Sequence, residues 1–199
     1  MAFIAGIPVE AIVHGKKITM CEINFLCVSK LLRAKRLAPR LIKEVTRRVN
    51  RCGIWQAVYT AGITLPRPVA TCRYFHRSLR VRKLLECKFT GLRRGQTISR
   101  MERLHRLPDK PHIPGIRPMA EKDVPAVCAL MNDYLSKFKL RVDFTERETA
   151  HWMLPRDKVV QTFVVEDPES HELTGMTSYF HIANRVMNNP KHDEINVAY

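Results

Sequence analysis

The pattern that most constrains the fold lies between residues 22 and 60, where two apolar runs flank a basic loop and an amphipathic segment. The first run, residues 23–28, is continuous, as is typical of a strand covered on both faces. Pro39 favours the start of a helix and Gly53 its end. The second run, residues 54–60, predicts another buried strand. Strand, helix and strand in this order predict a right-handed βαβ crossover within an α/β fold.

The remaining sequence alternates between strand-like and helix-like segments. Residues 14–17 form the predicted turn of a hairpin between strands at 3–9 and 22–28. An amphipathic helix is expected at 121–138, because apolar residues recur there at steps of three and four. These residues are Val124, Val127, Met131, Tyr134 and Phe138. Other predicted elements are a helix at 74–86, a short strand at 87–92, and strands at 159–166 and 173–182.

Prolines between residues 108 and 118 predict an extended connection. It divides the chain into a first unit at 1–107 and a second unit that begins at 119 and runs to 199. We expect both units to be incomplete. The first lacks an expected opening strand and helix, and the second lacks a helix-bearing crossover.

The balance of charge favours anionic partners. The chain has 34 Lys and Arg against 19 Asp and Glu, and residues 30–51 contain only one acid, Glu44. Nucleic acid, acidic membrane and a phosphate-bearing ligand all satisfy this balance, and charge alone does not choose among them. The hydrophobic content of 45% excludes general disorder.

The cysteines indicate a reducing compartment. All six are scattered singly, without a CxxC pair or a neighbouring histidine at metal-ligand spacing. We therefore expect free thiols and no metal site. Since no stretch approaches the roughly 18 apolar residues of a membrane span, we expect a cytoplasmic protein without a transmembrane segment.

The loop at residues 33–38 is a candidate phosphate site. It lies between a predicted strand and the start of a predicted helix, where unpaired backbone amides and the helix dipole favour an anion. Arg33, Lys35 and Arg36 add positive charge, and the spacing Arg-x-x-Arg-x-Ala is related to the pyrophosphate loop of acetyltransferase-type folds. From the residues alone, a solvated basic turn is an equal alternative.

Longer segments resemble the glycylpeptide N-myristoyltransferases. The run EINFLCVSK at residues 22–30 resembles the first signature of that family. Further similar segments lie at 32–39, 42–48, 55–62, 73–79, 107–108, 115–119 and 162–166. The resemblance implies two fused acetyltransferase-like (GNAT-type) units with mixed sheets, the first binding acyl-CoA and the second helping to bind peptide.

The resemblance also implies an activity, the transfer of a myristoyl group from myristoyl-CoA to the N-terminal glycine of a protein. The amine would attack the thioester directly, and myristoyl-CoA would be a substrate rather than a tightly bound cofactor. The backbone amides of Phe25 and Leu26 would form the oxyanion hole, although these two residues would otherwise be assigned to the core. Asn24 and Thr60 would contact the glycine amine of the substrate. The implied coenzyme A contacts are Phe25, Leu26, Cys27, Val28, Arg33, Ala34, Lys35, Arg36, Leu37 and Ala38.

Two positions match the peptide pocket, and three depart from the family pattern. Tyr74 and His76 would contact the substrate peptide, whereas without the resemblance they would be surface residues. Ser29 stands where the signature usually has His, which leaves the oxyanion strand intact but removes support for the family's local hydrogen bonding. Ala183 and Asn184 replace Pro-Ser, which removes support for a peptide contact there.

Other functions fit parts of the sequence. A basic nucleic-acid- or ribosome-binding module would use the cations at 30–51 and 73–106. Such contact would be non-specific, because no RNA-binding aromatic motif or zinc-finger spacing is present. A catalytically inactive remnant that retains acyl-CoA affinity is the other alternative.

By resemblance, the C-terminal carboxylate base and the N-terminal acyl-enclosing segment of the family lie outside this sequence. A glycine amine has a pKa near 8, so a base must remove its proton as it attacks. We expect the chain as given to release coenzyme A from myristoyl-CoA and a Gly-peptide barely above background, since loss of a general base costs about 10²- to 10⁴-fold. Robust peptide-dependent release in a thiol assay would show that another residue supplies the base.

Overall fold

The computed structural model describes residues 1–63 and 65–199, and these residues form a mixed α/β structure, as predicted. The strands are β1 (Ala2–Val13), β2 (Lys16–Val28), β3 (Ala57–Tyr59), β4 (Ile116–Pro118), β5 (Leu140–Val142), β6 (Val160–Glu166), β7 (Leu173–Arg185) and β8 (Glu194–Ala198). The helices are α1 (Leu37–Arg51), α2 (Val81–Glu86), α3 (Ile98–His105), α4 (Val124–Leu135) and α5 (Glu146–Met153). Short 3₁₀ turns occupy Lys30–Leu32 and Glu121–Asp123.

The chain divides into two compact units, which are described separately. The first contains Met1–Thr71 and Met131–Thr145, and the second contains Cys72–Leu130 and Glu146–Tyr199. The assignment of acyl-CoA binding to 1–107 and peptide binding to 119–199 stays a prediction. None of the helices in the described residues is long and apolar enough to cross a membrane.

The first unit is a mixed sheet with strand order β3-β2-β1-β5. β1 and β2 form the predicted hairpin, with His14 and Gly15 in the turn, and β5 pairs antiparallel with β1. β3 pairs parallel with β2, and α1 lies between them in sequence. This pairing confirms the predicted strand–helix–strand crossover. α1 ends at Arg51, and the positive φ of 77° at Gly53 supports the predicted helix stop.

Helix α1 approaches the hairpin closely at Gly6. A Cβ atom at this position would lie 2.9 Å from Cys21 Sγ and 3.3 Å from Val45 Cγ2. Val45 belongs to the apolar face of α1, and Cys21 is buried at 1% exposure. The absence of a side chain at Gly6 therefore allows the helix to rest on the middle of the hairpin.

The predicted burial of two strands is wrong. β3 is shorter than the expected strand at 54–60, its residues are exposed, and only Ile54 in that run is buried. β3 is the edge of its sheet, so one side has no pairing strand in the described chain. Phe25, Leu26 and Cys27 are also exposed. The reason is that α1 covers the middle of the hairpin rather than the end of β2.

The second unit is an antiparallel sheet with strand order β4-β6-β7-β8. Val164 on β6 and Val127 on α4 are fully buried. Thr162 is also buried, and its hydroxyl lies 2.8 Å from Ser178 Oγ on β7. The β6–β7 pair and the turn at Asp167 confirm the predicted strands at 159–166 and 173–182, because Asp167 Oδ1 accepts from the backbone N–H groups that follow.

Several predictions for residues 74–105 need correction. Residues 74–80 are not helical, because Tyr74, Phe75 and Leu79 are more than half exposed and supply no packed face to stabilise a helix. Residues 87–92 form turns rather than a strand, with Lys88 at a φ of 56°. Helix α3 was not predicted, although Thr97 at its N-cap accepts from Arg100 N at 3.3 Å.

The remaining differences concern the chain after residue 118. α4 ends at Leu135, and Tyr134 and Phe138 from its predicted apolar stripe are exposed, while Val124 and Val127 are buried as predicted. β5, α5 and β8 were not predicted. β5 is only three residues long, which is too short for an alternating pattern to be recognised.

Arg117 on β4 joins three elements of the second unit. Its Nη1 and Nη2 donate to the two carboxylate oxygens of Asp123 at 2.7 and 2.8 Å, and its Nε donates to Glu166 at 2.7 Å. The Asp123 side chain is only 6% exposed. Hydrogen bonding from Arg117 lowers the pKa of Asp123, and hydrogen bonding from His171 and then Arg117 lowers that of Glu166. Both carboxylates are therefore held in their ionised form.

We predict that Arg117→Ala lowers the free energy of unfolding by about 2–3 kcal/mol at neutral pH, because a buried carboxylate loses its charged donors. Since the folded-state pKa of Asp123 is depressed, the wild-type advantage exists above the ordinary value of 3.8 and is lost as the pH falls through the lowered pKa. Urea unfolding at a series of pH values measures both effects.

The matched control is Arg82→Ala, which breaks an exposed pair with Glu102. It should lower the free energy of unfolding far less than Arg117→Ala does, because solvent screens an exposed pair. Equal losses from the two variants would contradict a special role for Arg117.

Candidate functional site

The hairpin of the first unit contains a β-bulge near the end of β2. Phe3 pairs with Cys27 and Ala5 pairs with Asn24, so Ile4 alone stands opposite both Phe25 and Leu26. Phe25 has a φ of 58°, the left-handed conformation expected at the first position of one class of bulge. The extra residue interrupts the regular ladder, which frees backbone polar groups for another partner.

The bulge contains both residues whose backbone amides are the predicted oxyanion-hole donors. Successive N–H groups of Phe25 and Leu26 lie at an irregular point of the strand, and both side chains are exposed, by 72% and 44%. Backbone donors fixed before a reaction stabilise a developing oxyanion without reorganisation. The sequence indicated these two residues by resemblance alone, whereas their core assignment is wrong.

The chain between β2 and α1 forms a basic loop with two residues in the left-handed region. Lys30–Leu32 makes a 3₁₀ turn, after which Ala34 has a φ of 64° and Arg36 a φ of 53°. Arg36 is the N-cap of α1, so the helix begins at Leu37, two residues before the predicted start. Neither of these residues is a glycine, and such conformations are enriched at ligand sites.

This loop leaves amide donors at the positive end of a 15-residue helix. The first four N–H positions of a helix lack intrahelical acceptors, and Pro39 has no N–H, so the donors belong to Arg36, Leu37 and Ala38. No acidic residue occupies the first turn, and Arg33, Lys35 and Arg36 are exposed. Amides, dipole and cations therefore favour an anion at the same place.

The rest of the predicted ligand-binding strand continues into this loop. Val28 pairs with Ala2, and its carbonyl accepts from Arg33 Nε at 3.4 Å. Cys27 is an exposed free thiol. Ser29, which replaces the usual His, donates its backbone N–H to Met1 O at 2.9 Å. Local backbone hydrogen bonding is thus maintained at Ser29 whatever its side chain.

Asn24 and Thr60 lie at the same end of the parallel pair. Ile23 pairs with Tyr59, and each of the two candidate residues follows one member of that pair. Asn24 Nδ2 donates to Glu22 Oε1 at 3.0 Å, which leaves the carbonyl Oδ1 of the amide to accept from an incoming amine. Sequence reasoning missed Glu22, although its position two residues before Asn24 places both on one face of the strand.

The candidate peptide contacts belong to the second unit. The ring of Tyr74 lies 5.7 Å from that of Tyr199, and hydrogen bonding to Tyr199 and then to Cys72 raises the pKa of Tyr74. His76 packs edge-to-face with Phe89 at 5.6 Å. Both candidates lie in irregular chain rather than on the predicted helix.

The remaining chemistry of the cysteines is simple. All six are free, with Cys21 and Cys128 buried. Burial raises the pKa of Cys21, so this thiol stays protonated and acts as a core residue. Among residues 1–63 and 65–199, no group of three or more His, Cys, Asp or Glu is arranged to hold a metal ion.

Comparison with known proteins gives two successive family matches. Residues 1–72 match the N-terminal domain of myristoyl-CoA:protein N-myristoyltransferase, and residues 86–199 match the C-terminal domain. The chain is 48% identical to glycylpeptide N-tetradecanoyltransferase 1 of Arabidopsis thaliana and 50% identical to glycylpeptide N-tetradecanoyltransferase 2 of Bos taurus, in each case over all of its 199 residues. It spans 46% and 40% of these curated relatives.

A solved structure is similarly close. All of the chain superposes on 48% of Saccharomyces cerevisiae N-myristoyltransferase with bound myristoyl-CoA, with a TM-score of 0.92 and 44% identity. A second structure of the yeast enzyme with the same ligand gives a TM-score of 0.91.

We predict that Phe25→Gly raises the free energy of unfolding by about 1 kcal/mol, because glycine adopts the left-handed conformation without the cost that a side chain imposes. The exposed Phe25 side chain contributes little burial to offset this gain. Leu26→Gly, the neighbouring control, should instead lower stability by about 0.5–1 kcal/mol. Urea unfolding compares the two, and equal destabilisation would show that Phe25 does not occupy the left-handed region.

Proposed function

Because the chain belongs to the N-myristoyltransferase family, we propose that it carries part of a site that transfers a myristoyl group from myristoyl-CoA to an N-terminal glycine. The acetyltransferase-like fold predicted from the sequence is confirmed by the superposition on the yeast enzyme. The chain spans less than half the length of these relatives, so their activity is proposed for it rather than established.

The observation that carries this proposal is the arrangement of β2, the basic loop and α1 in one continuous stretch. The bulge at Phe25 and Leu26 and the anion-favouring loop at 33–38 are separated by only a few residues. Acyl-CoA carries a reacting carbonyl and a pyrophosphate on one molecule. A single connection that offers oxyanion donors and phosphate donors suits both ends of such a ligand.

In the proposed complex, the coenzyme A pyrophosphate lies on the amides of Arg36, Leu37 and Ala38. The Arg33 and Arg36 guanidinium groups neutralise its charge, with Lys35 beside them and Ala34 in contact. Cys27 and Val28 line the path towards the bulge. Cys27 acts as a contact residue and not as a nucleophile, because the amine attacks the thioester directly.

The reaction requires a neutral amine at the thioester carbonyl. The glycine nitrogen attacks the carbonyl carbon, and the amides of Phe25 and Leu26 stabilise the oxyanion. The carbon–sulfur bond then breaks, and the proton that the nitrogen loses ends on the departing sulfur, which leaves as coenzyme A thiol. Asn24 Oδ1 and the Thr60 hydroxyl accept hydrogen bonds from the amine and orient its lone pair. Glu22 holds the Asn24 amide in the orientation that this contact needs.

Substrate proteins are proposed to contact Tyr74 and His76 in the second unit. The Tyr74 hydroxyl is hydrogen-bonded to Tyr199 and Cys72, which raises its pKa, and its oxygen can accept a hydrogen bond from a peptide N–H. We further infer a cytoplasmic location, where the exposed thiols of Cys27, Cys52 and Cys72 would stay reduced.

We predict that replacing Arg33 and Arg36 with Ala weakens acyl-CoA binding by about 2–4 kcal/mol, taking about 1–2 kcal/mol for each charge-assisted bond. Calorimetry with myristoyl-CoA measures this loss. The control replaces Lys43 and Arg51 with Ala, which removes the same charge from exposed positions on the body and end of α1.

The control variant should keep most of the affinity, because its cations lie away from the helix N-terminus. Unchanged affinity in the Arg33 and Arg36 variant would contradict the assignment of the phosphate site to this loop. Equal losses in both variants would show that net charge, and not this loop, attracts the ligand.

A further inference from the structure

The second unit contains a cationic cavity. It has a volume of about 870 Å³, which is within the range of roughly 300–1,000 Å³ for small-molecule sites. It is formed by His76 and Ser78 before α2, by the chain that joins α2 to α3 and by α3 itself. Its lining includes Phe89, Arg93, Arg94, Arg100, Met101 and Leu104.

The charge of this cavity is not neutralised by the protein. Residues 87–107 contain six Lys and Arg but only one acid, Glu102, and the Glu102 carboxylate accepts from Arg82 Nε at 2.7 Å. Within the described residues, no salt bridge involves Arg93, Arg94 or Arg100, and no carboxylate lines the cavity. Three guanidinium groups around one space are the arrangement that binds phosphate oxygens in pairs.

The loop that carries two of these arginines is held by its own hydrogen bonds. Gln96 N donates to Arg93 O at 3.0 Å, and Arg93 N donates to the Gln96 side chain at 3.4 Å. Gly95, at a φ of 77°, makes the turn between them. The Thr97 cap then begins α3 and places Arg100 in its first turn. The cations therefore line the cavity from a closed loop and a helix.

The rest of the lining mixes apolar and polar side chains, among them His76, whose ring lies edge-to-face at 5.6 Å from that of Phe89. Phe89 is 45% exposed and Leu104 is 62% exposed, while Met101 is buried. An accessible aromatic ring beside arginines is typical of sites that stack a base and bind its phosphates. We propose that this cavity binds a nucleotide, with its phosphates on Arg93, Arg94 and Arg100 and its base against Phe89.

Titration calorimetry on the full chain, with ATP, AMP and inorganic tripolyphosphate as probes, tests the proposal. We expect ATP to bind more tightly than AMP, since it offers more phosphate oxygens, and more tightly than tripolyphosphate, which has no base to stack. The triple variant Arg93→Gln, Arg94→Gln and Arg100→Gln should weaken ATP binding by about tenfold or more.

The charge-matched control is Arg103→Gln, Arg106→Gln and Lys110→Gln, whose cations do not line this cavity. It should change ATP affinity by less than about threefold, and circular dichroism should show both variants folded, since the replaced side chains are exposed. Equal weakening by the two triple variants would overturn the site. Tripolyphosphate binding as tightly as ATP, or binding only of long RNA, would overturn the nucleotide assignment.

A further variant separates this cavity from the coenzyme A loop. Replacement of Arg33 and Arg36 with Ala removes any ATP binding at the coenzyme A loop, and the ATP binding that the Arg93, Arg94 and Arg100 triple variant weakens should remain. Loss of ATP binding in that variant would show that the nucleotide occupies the first unit, and the proposal for the second would be wrong.

Discussion

The one-residue register shift between β1 and β2 is the constraint on which the candidate site depends. A regular ladder would commit the backbone donors around Phe25 to pairing with β1, and every side chain beyond that point would face the other way. Because β2 carries one residue more than β1 at the bulge, the strand reaches the basic loop with Cys27 and Val28 paired again. The irregular point is thus enclosed by regular pairing on both sides, which fixes its geometry.

The sequence predicted the parts of this arrangement that depend on local chemistry. The hairpin follows from apolar runs around His14 and Gly15, the helix stop from Gly53, and the turn after β6 from Asp167. The basic loop was also located from its cations and from Pro39. The bulge could not be predicted from the residues, because position 25 is a phenylalanine rather than a glycine and gives no signal for a left-handed conformation.

Burial was predicted less well, because it depends on what covers a strand. The apolar runs at 23–28 and 54–60 have the composition of central strands. However, α1 does not cover the end of the first run, and the second run contains β3, which is the edge of its sheet. The segment at 74–80 has helix-compatible residues but no packed face. Asn24 was recognised by resemblance, while its partner Glu22 required a structure in which the hydrogen bond could be measured.

The close contact at Gly6 has a consequence for how this protein tolerates change. Gly6 has no functional group, yet any side chain there must displace Cys21 or the helix that carries Val45. Displacing that helix moves its first turn, where the amides of Leu37 and Ala38 are oriented. In a mutational scan that measured only ligand affinity, substitutions of Gly6 would therefore lower the affinity as substitutions of the loop arginines do. Gly6 would have this effect although it does not contact the ligand, because its lack of a side chain makes room for α1.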